Sequence, residues 1–341
     1  MILVFTLCSN NYLAQAITLG NSLIKHNPEY IFKIVLVDKK NSQVNYSSIP
    51  YEVIEIENIL IEDFNEMFRR YNIIELNTAV KPFIFAYFFY KYNKLDSIIY
   101  LDPDICVYNS FSILENELRE YDIIITPHCL SPINDNKLPS ENEFLNSGLY
   151  NLGFIAIKNG SESKKLLDWW SDRLKTKAYI DFAKGMFTDQ IWFNFVPLFF
   201  EKVRILKHVG FNVAYWNIHE RNLVNKYEVC FNKEIFPLIF FHFSGYDPQK
   251  PKILSKYQDR FTFEKRSDLV EIFDDYANEL FANDYLIYVK YQCCYSVEKQ
   301  KLDMEAYSNY KNSIAISKRI LRGIILRIIK MFRVNIDYYT R

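Results

Sequence analysis

Glycine is scarce in this chain, with 8 residues in 341. That excludes glycine-rich linkers and collagen-like repeats. Cysteine is sparse too. The six present lie far apart except for the neighbours Cys293 and Cys294, so they form neither a disulfide framework nor a C-x-x-C metal pattern. Reduced thiols in a cytosolic protein are the expectation. No internal repeat of fixed period is visible. The opening MILVFTLCSN has no basic leader, and its apolar stretch is too short for a signal peptide or a membrane span, so export is not expected. Net charge is also missing, because 41 Lys and Arg balance 41 Asp and Glu.

That balance hides an asymmetry. Residues 311–341 hold eight of the basic residues and one acid, Asp337, which leaves an acidic body with a basic tail. An acidic body argues against nucleic acid as its partner and singles out the tail. What the chain has in quantity is apolar side chains: 50% of residues are hydrophobic and 17% aromatic, ample for one or two well-filled domains.

Periodicity alternates between strand and helix. Strands are predicted at 2–7, 32–38, 51–59, 97–101, 121–128, 149–158 and 237–245. Helices are predicted within 10–28, stopping at Asn27-Pro28, and at 62–71, 78–92, 113–120, 161–175 and 189–195. The implied class is α/β, a sheet with helices on both faces. Ligands of such sheets sit beyond the carboxyl ends of the strands. Asp38, Asp102, Asp104 and His128 fall just after predicted strands, and His242 near the end of one.

The stretch SIIYLDPDICV ends an apolar strand in two carboxylates, Asp102 and Asp104, around Pro103. Like charges this close repel, and burial makes the repulsion worse, so a positive partner is expected. Hard divalent cations such as Mg²⁺ or Mn²⁺ take oxygen ligands and share them with phosphates. A solvated turn is the plainer reading of a D-x-D, but the apolar residues on both sides argue against it. His242, in FFHFSGYDPQKP, is either a third ligand or a core histidine. Lys250 is either a phosphate contact or a surface lysine.

Together these stretches resemble the GT-A-fold glycosyltransferases, close in pattern to the retaining galactosyl- and glucosyltransferase family (family 8-like) that includes glycogenin and bacterial lipopolysaccharide galactosyltransferases, and NLGF, GFNVAYWNIHER and HFSGYDP resemble bacterial polysaccharide-cluster transferases more closely still. FTLCSNNYLAQAITLGNSL resembles the family's nucleotide-binding first βα unit, which implies donor contacts at Thr6 and base stacking by Tyr12. IIYLDPDICV resembles its Y-L-D-x-D, and LYNLGFIAIK its F-N-A-G strand, which places Asn151 and Gly153 near the donor sugar. FTDQIWFN resembles its D-Q helix and implies catalytic roles for Asp189 and Gln190. FHFSGYDPQKP resembles its H-x-x-G-x-x-K-P, which implies metal ligation by Asp102, Asp104 and His242 and diphosphate contacts at Gly245 and Lys250. Ser9, Asn10 and Asn11 replace an acid of the family, and Lys81 stands in place of an arginine, as a point charge for phosphate.

The resemblance implies a GT-A Rossmann-like domain over 1–255, using Mn²⁺ or Mg²⁺ and a nucleotide sugar, UDP-sugar first among them. Residues 256–310 read as a helical extension and 311–341 as a basic amphipathic helix. Over 314–333, basic residues line one side and isoleucines the other, which fits an anionic membrane surface or a docked helix. The expected acceptor is a glycan or lipid-linked glycan of bacterial surface polysaccharide. The expected place is the cytoplasm, peripheral on the inner face of the plasma membrane. An inverting transferase and a non-catalytic nucleotide- or glycan-binding scaffold are the alternatives. A sugar-1-phosphate nucleotidyltransferase, which wants a glycine-rich loop after strand one, fits LCSNNYLAQ poorly. One motif stays open: GFNVAYWNIHER, with Asn212, Trp216, Asn217, His219, Glu220 and Arg221, is either a sugar-binding surface or an internal loop.

Overall fold

The structure is a computed structural model that describes residues 1–339; within the final helix it describes only some of the side chains. The chain forms two compact units, Met1–Cys294 and Tyr295–Arg341. The expected boundaries at 255 and 310 do not coincide with that division, because residues 256–294 belong to the first unit.

In chain order the first half contains β1 (Ile2–Cys8), α1 (Leu13–His26), β2 (Ile31–Leu36), β3 (Glu52–Glu55), α2 (Phe64–Arg70), α3 (Ile73–Ala79), α4 (Lys81–Lys91), β4 (Ser97–Leu101), β5 (Ile105–Val107), α5 (Ser112–Glu120) and β6 (Ile123–Pro127). Then come α6 (Glu141–Ser147), β7 (Tyr150–Lys158), α7 (Ser161–Leu174), β8 (Ile180–Asp181), β9 (Met186–Phe187), α8 (Val196–Phe199) and β10 (Val203–Ile205). A ribbon of β11 (Asn222–Asn225), β12 (Glu228–Phe231) and β13 (Glu234–Pro237) precedes β14 (Phe240–His242), α9 (Val270–Ala282) and α10 (Tyr285–Tyr288). The second unit is α11 (Cys294–Tyr339).

Seven strands form the central sheet in the order β10-β6-β7-β4-β1-β2-β3. β1 runs parallel to β2 and β4, and β7 runs antiparallel to β4 and β6. The runs LVFTL and SIIYL are continuously apolar because their strands are covered on both faces; every residue of β4 is buried. The antiparallel β7 positions the site: its first residues return beside the end of β4, where Asp102 N–H donates to Gly153 O at 2.8 Å.

Several predicted elements differ in detail. The helix expected over 78–92 is broken at Val80, and α4 starts afresh with Pro82 in its first turn, where a missing N–H costs nothing. The strand expected over 237–245 shortens to β14. It pairs antiparallel with β5 instead of joining the central sheet, with His242 opposite Ile105.

Asp38, at the end of β2, is a buried staple. It accepts from the Asn10 side chain (2.7 Å) and the backbone N–H groups of Asn10 (3.2 Å), Lys39 (2.9 Å) and Cys294 (2.8 Å). Asp38→Ala strands these donors in the interior, and each unmet one costs about 1–3 kcal/mol. Urea unfolding of the variant should show a loss of roughly 3 kcal/mol; a loss under about 0.5 kcal/mol would mean that water replaces the carboxylate.

Candidate active site

The turn Asp102-Pro103-Asp104 joins β4 to β5, and β14 lies against β5. The pairing brings His242 beside the turn, and Phe243 N–H donates to Asp104 O at 2.8 Å. One ligand atom from each of Asp102, Asp104 and His242 falls within a 4.8 Å span. His242 Nε2 lies 3.0 Å from Asp104 Oδ1 and 3.7 Å from Asp102 Oδ2. Burial alone would lower the His242 pKa, but Asp104 and then Asp102 outweigh it and hold it above the usual histidine value. Two carboxylates and an imidazole this close form a donor set that fits a hard or borderline divalent cation.

A second layer holds the first. Asn212 Oδ1 is 3.3 Å from His242 Nδ1, and Asn212 Nδ2 donates to Thr126 Oγ1 and Asn151 Oδ1, both at 3.0 Å. With Nδ1 protonated toward Asn212, Nε2 keeps its lone pair for a metal. Asn212 has φ 54°, a left-handed conformation that asparagine tolerates better than most residues. Tyr100 O–H donates to Asp102. Gly153 is required by space: a Cβ there would lie 2.4 Å from His242 Cε1 and 2.8 Å from Asp102 Oδ2.

Two cavities meet at this cluster. One, of about 470 Å³, is lined by Tyr12, Gln15, Asp104, Gly245, Lys250 and Tyr285 among others. Lys250 is exposed there, with its ammonium 3.9 Å from Asp247. Gly245 has φ 75°, and a Cβ would lie 2.6 Å from the Tyr257 ring. The other, of about 640 Å³, is lined by Lys81, Asp102, His128, Asn151, Gly153, Asp189, Gln190 and Trp216 among others. Ser244 and Tyr257 line both. A separate cavity of about 350 Å³ between α1, β5 and α9 holds none of the expected site residues.

The larger cavity has a fixed polar wall. Lys81 and Asp189 form a buried ion pair at 2.9 Å; Lys81 also donates to Leu152 O at 2.9 Å and lies 4.4 Å from the centre of the Tyr100 ring. Burial raises the Asp189 pKa, and Lys81 works against that shift. The Gln190 amide is held in place, its carbonyl accepting from Leu152 N–H (3.2 Å) and its NH₂ donating to Ser147 O (3.0 Å). His128 is stacked on Phe144, and burial pushes its pKa down to about 4, so it is neutral at pH 7.

Most of the residues singled out in the sequence therefore converge here. Thr6 does not: it is buried within β1 and lines neither cavity. Lys81, expected at phosphate, has its charge matched by Asp189. In GFNVAYWNIHER, Asn217 donates to His128 O and Asn212 O, Glu220 accepts from Leu130 N–H, and Arg221 donates to Val209 O and Phe211 O. Those three are braces, whereas Tyr215 and Trp216 reach the cavity wall. Tyr100, Tyr215, Ser244 and Tyr257 were not legible as site residues. The tyrosine ahead of D-x-D is the one that carries a sequence signal.

The cluster predicts how metal affinity depends on pH. A proton held on His242 above the usual value must leave before the nitrogen can ligate, so affinity rises as pH climbs through that pKa. Calorimetric Mn²⁺ titration should show binding tighter on the order of 10-fold at pH 8 than at pH 6. Gly153→Ala should bind weakly at both. Equal affinity for the wild type at the two pH values would remove His242 from the ligand set.

Comparison with known proteins identifies the family. The family model "Glycosyl transferase family 8" matches residues 3–187. Two uncharacterized proteins of Bacillus subtilis (strain 168) are similar. YfnF is 26% identical over 257 residues, covering 71% of this chain and 80% of its own. YfnD is 23% identical over 251 residues, covering 71% and 76%. Among solved structures, the galactosyltransferase LgtC, in complex with donor and acceptor sugar analogs, aligns at 17% identity and TM-score 0.46, covering 82% of this chain and 95% of its own. The bifunctional glycosyltransferase WbbM aligns at 15% identity and TM-score 0.47, covering 88% of this chain and 51% of its own. The family match spans more than half of the chain and contains the D-x-D turn, Asn151 and Gly153, and this protein belongs to glycosyl transferase family 8.

Proposed function

We propose that this glycosyltransferase takes its sugar from a UDP-sugar, uses Mn²⁺ or Mg²⁺ held by Asp102, Asp104 and His242, and passes the sugar with retention of configuration to a glycan or lipid-linked glycan in bacterial surface-polysaccharide synthesis. The observation that carries this reading is the Asp-Asp-His cluster at the junction of two cavities. One cavity has the exposed ammonium of Lys250 and an aromatic wall with Tyr12, suited to a nucleoside diphosphate. The other has an amide-rich polar wall, suited to sugar hydroxyls. A divalent ion in the cluster would supply Lewis-acid stabilisation of charge on the leaving diphosphate.

The chain's own residues do the rest. Lys250 pairs with the diphosphate. Gly153 lets His242 and Asp102 close in on the β7 backbone, where a Cβ would strike both. Lys81 holds Asp189 in place and favours its ionised form. Asp189 and the carbonyl of Gln190 then present negative charge and a fixed dipole to a sugar that becomes oxocarbenium-like as its bond to phosphate breaks. Family membership supports retention, so an α-linked donor should give an α-linked product.

The basic C-terminal stretch supports a membrane address. No helix among the described residues is long and apolar enough to cross a membrane. The side chains of Arg319, Arg322, Lys330 and Arg333 lie outside the described residues, so the two-sided pattern rests on the sequence. A cationic, isoleucine-rich helix in the plane of an anionic surface would bring the transferase to a lipid-linked acceptor.

Two experiments test this function. With Mn²⁺ and a panel of nucleotide sugars, the wild type should turn over a UDP-sugar. Asp104→Asn should fall at least 100-fold while keeping its unfolding midpoint; undiminished turnover after chelation, or a β-linked product from an α donor, would overturn the metal or the retaining assignment respectively. Deleting the chain after Tyr310 should spare donor hydrolysis and abolish salt-sensitive sedimentation with phosphatidylserine vesicles, each lost basic residue removing about 1 kcal/mol of attraction. Indifference of the intact protein to those vesicles at low salt would end the membrane reading.

A further inference from the structure

The stretch IWFNFVPLFF follows Asp189 and Gln190 directly, and sugar transfer leaves its outer face unused. It forms a 3₁₀ turn, Gln190–Phe195, and then α8. Phe193 and Val196 point inward and are buried. The outer residues are not: Phe195 is 44% exposed, Leu198 77% and Phe199 58%. The Phe195 and Phe199 rings stack at 5.3 Å. Trp169 of α7 lies edge-on to Phe199 at 5.9 Å, to Phe200 at 5.6 Å and to Trp192 at 6.3 Å. Aromatic rings are therefore continuous from α7 to α8.

Chemistry, size and position say what covers this patch. Its two tryptophans each carry a cation: the Arg173 guanidinium lies 5.8 Å from the Trp169 ring and the Lys177 ammonium 5.8 Å from the Trp192 ring. Indoles with long cationic side chains laid across them are what a membrane–water boundary selects, rings at headgroup level and charges in the water. Phe195, Leu198 and Phe199 together expose on the order of 300 Å². That exceeds what scattered surface residues give, yet it falls well short of the ~800 Å² that each partner covers in a stable protein complex. A bilayer demands neither that area nor a matched shape. The acids next to the patch in the chain, Asp168, Asp172 and Glu201, offset Arg173, Lys177 and Lys202, so apolar contact and not net charge is its driving force.

Position ties the patch to the larger cavity. Trp192 Nε1–H donates to Lys177 O at 3.0 Å, and Asn194 Oδ1 accepts from Leu149 N–H at 2.9 Å. Leu149 is exposed, and so are Ile180 and Phe182, which line that cavity and therefore stand at its rim. Apolar exposure recurs from α8 round to the opening through which a lipid-linked acceptor would enter.

We propose that Trp169, Trp192, Phe195, Leu198 and Phe199 form a lipid contact of the first unit, seated in the headgroup–acyl boundary of a bilayer by apolar insertion. The proposal rests on the membrane reading above and adds a second contact of different chemistry. The basic C-terminal stretch acts through charge and fades with salt, whereas apolar insertion persists.

The four tryptophans make a direct test practicable, because Trp169 and Trp192 lie in the patch while Trp170 and Trp216 are buried. Full-length protein is mixed with vesicles of phosphatidylcholine and phosphatidylserine whose acyl chains carry bromine, which quenches indoles that reach them. Tryptophan emission should fall at low salt, and at least half of that fall should persist in ~0.5 M NaCl, where charge is screened. Leu198→Ser combined with Phe199→Ser should abolish the salt-resistant quenching and spare both donor hydrolysis and salt-sensitive sedimentation. Should that pair lower the unfolding midpoint, Leu198→Glu alone, at the most exposed position, should at least halve the salt-resistant quenching. Sedimentation without quenching overturns this proposal and leaves the membrane reading standing on the C-terminal stretch. Absence of sedimentation at either salt concentration ends both. Quenching of the variants equal to that of the wild type overturns the proposal, as does a wild type that sediments as a dimer without vesicles when Leu198→Glu is a monomer, since a second copy then covers the patch.

Discussion

Everything at the active site depends on one short antiparallel pairing, that of β5 with β14. β5 is the three-residue strand after the D-x-D turn, and β14 arrives from well over a hundred residues later in the chain. Their register sets His242 opposite Ile105 and lets Phe243 N–H close on Asp104 O. Without it, two carboxylates would face each other at a buried strand end with nothing to offset their repulsion. With it, an imidazole that can take a proton or yield to a metal stands 3.0 Å from Asp104. The pairing is short but well anchored, because Phe240 and Phe241 are fully buried among other aromatic rings.

That dependence explains what the sequence could and could not disclose. Asp102 and Asp104 are legible because both members of the motif lie within three residues and the apolar strand ahead of them is obvious. Gly153 and Asn151 are legible only through the resemblance of LYNLGFIAIK to the family's F-N-A-G strand. The partner of β14 is not, since an apolar run shows that a strand is buried but not which strand it lies beside. The same limit hid Tyr257, a loop residue brought in by tertiary contacts alone. Thr6 lies apart from both cavities for a related reason: a strand position close to a motif is still an interior position when the strand is central. Lys81 shows a third limit. A lone cation near a phosphate-binding pattern says nothing about whether a buried carboxylate, here Asp189, already claims it.

The polar interior is costly and almost fully connected. Asn212 ties His242 to Asn151, Asn151 approaches Gln190, and Gln190 fixes the backbone of β7. Buried networks of this kind hold side chains in one geometry when every member is satisfied. Rigidity there is useful for transfer chemistry, because groups aimed at developing charge need no reorganisation as the bond breaks. It also means that single changes in the network act through their neighbours. An Asn212→Ala change would free the His242 ring and leave Asn151 short of a donor at once, so the separate losses would not add.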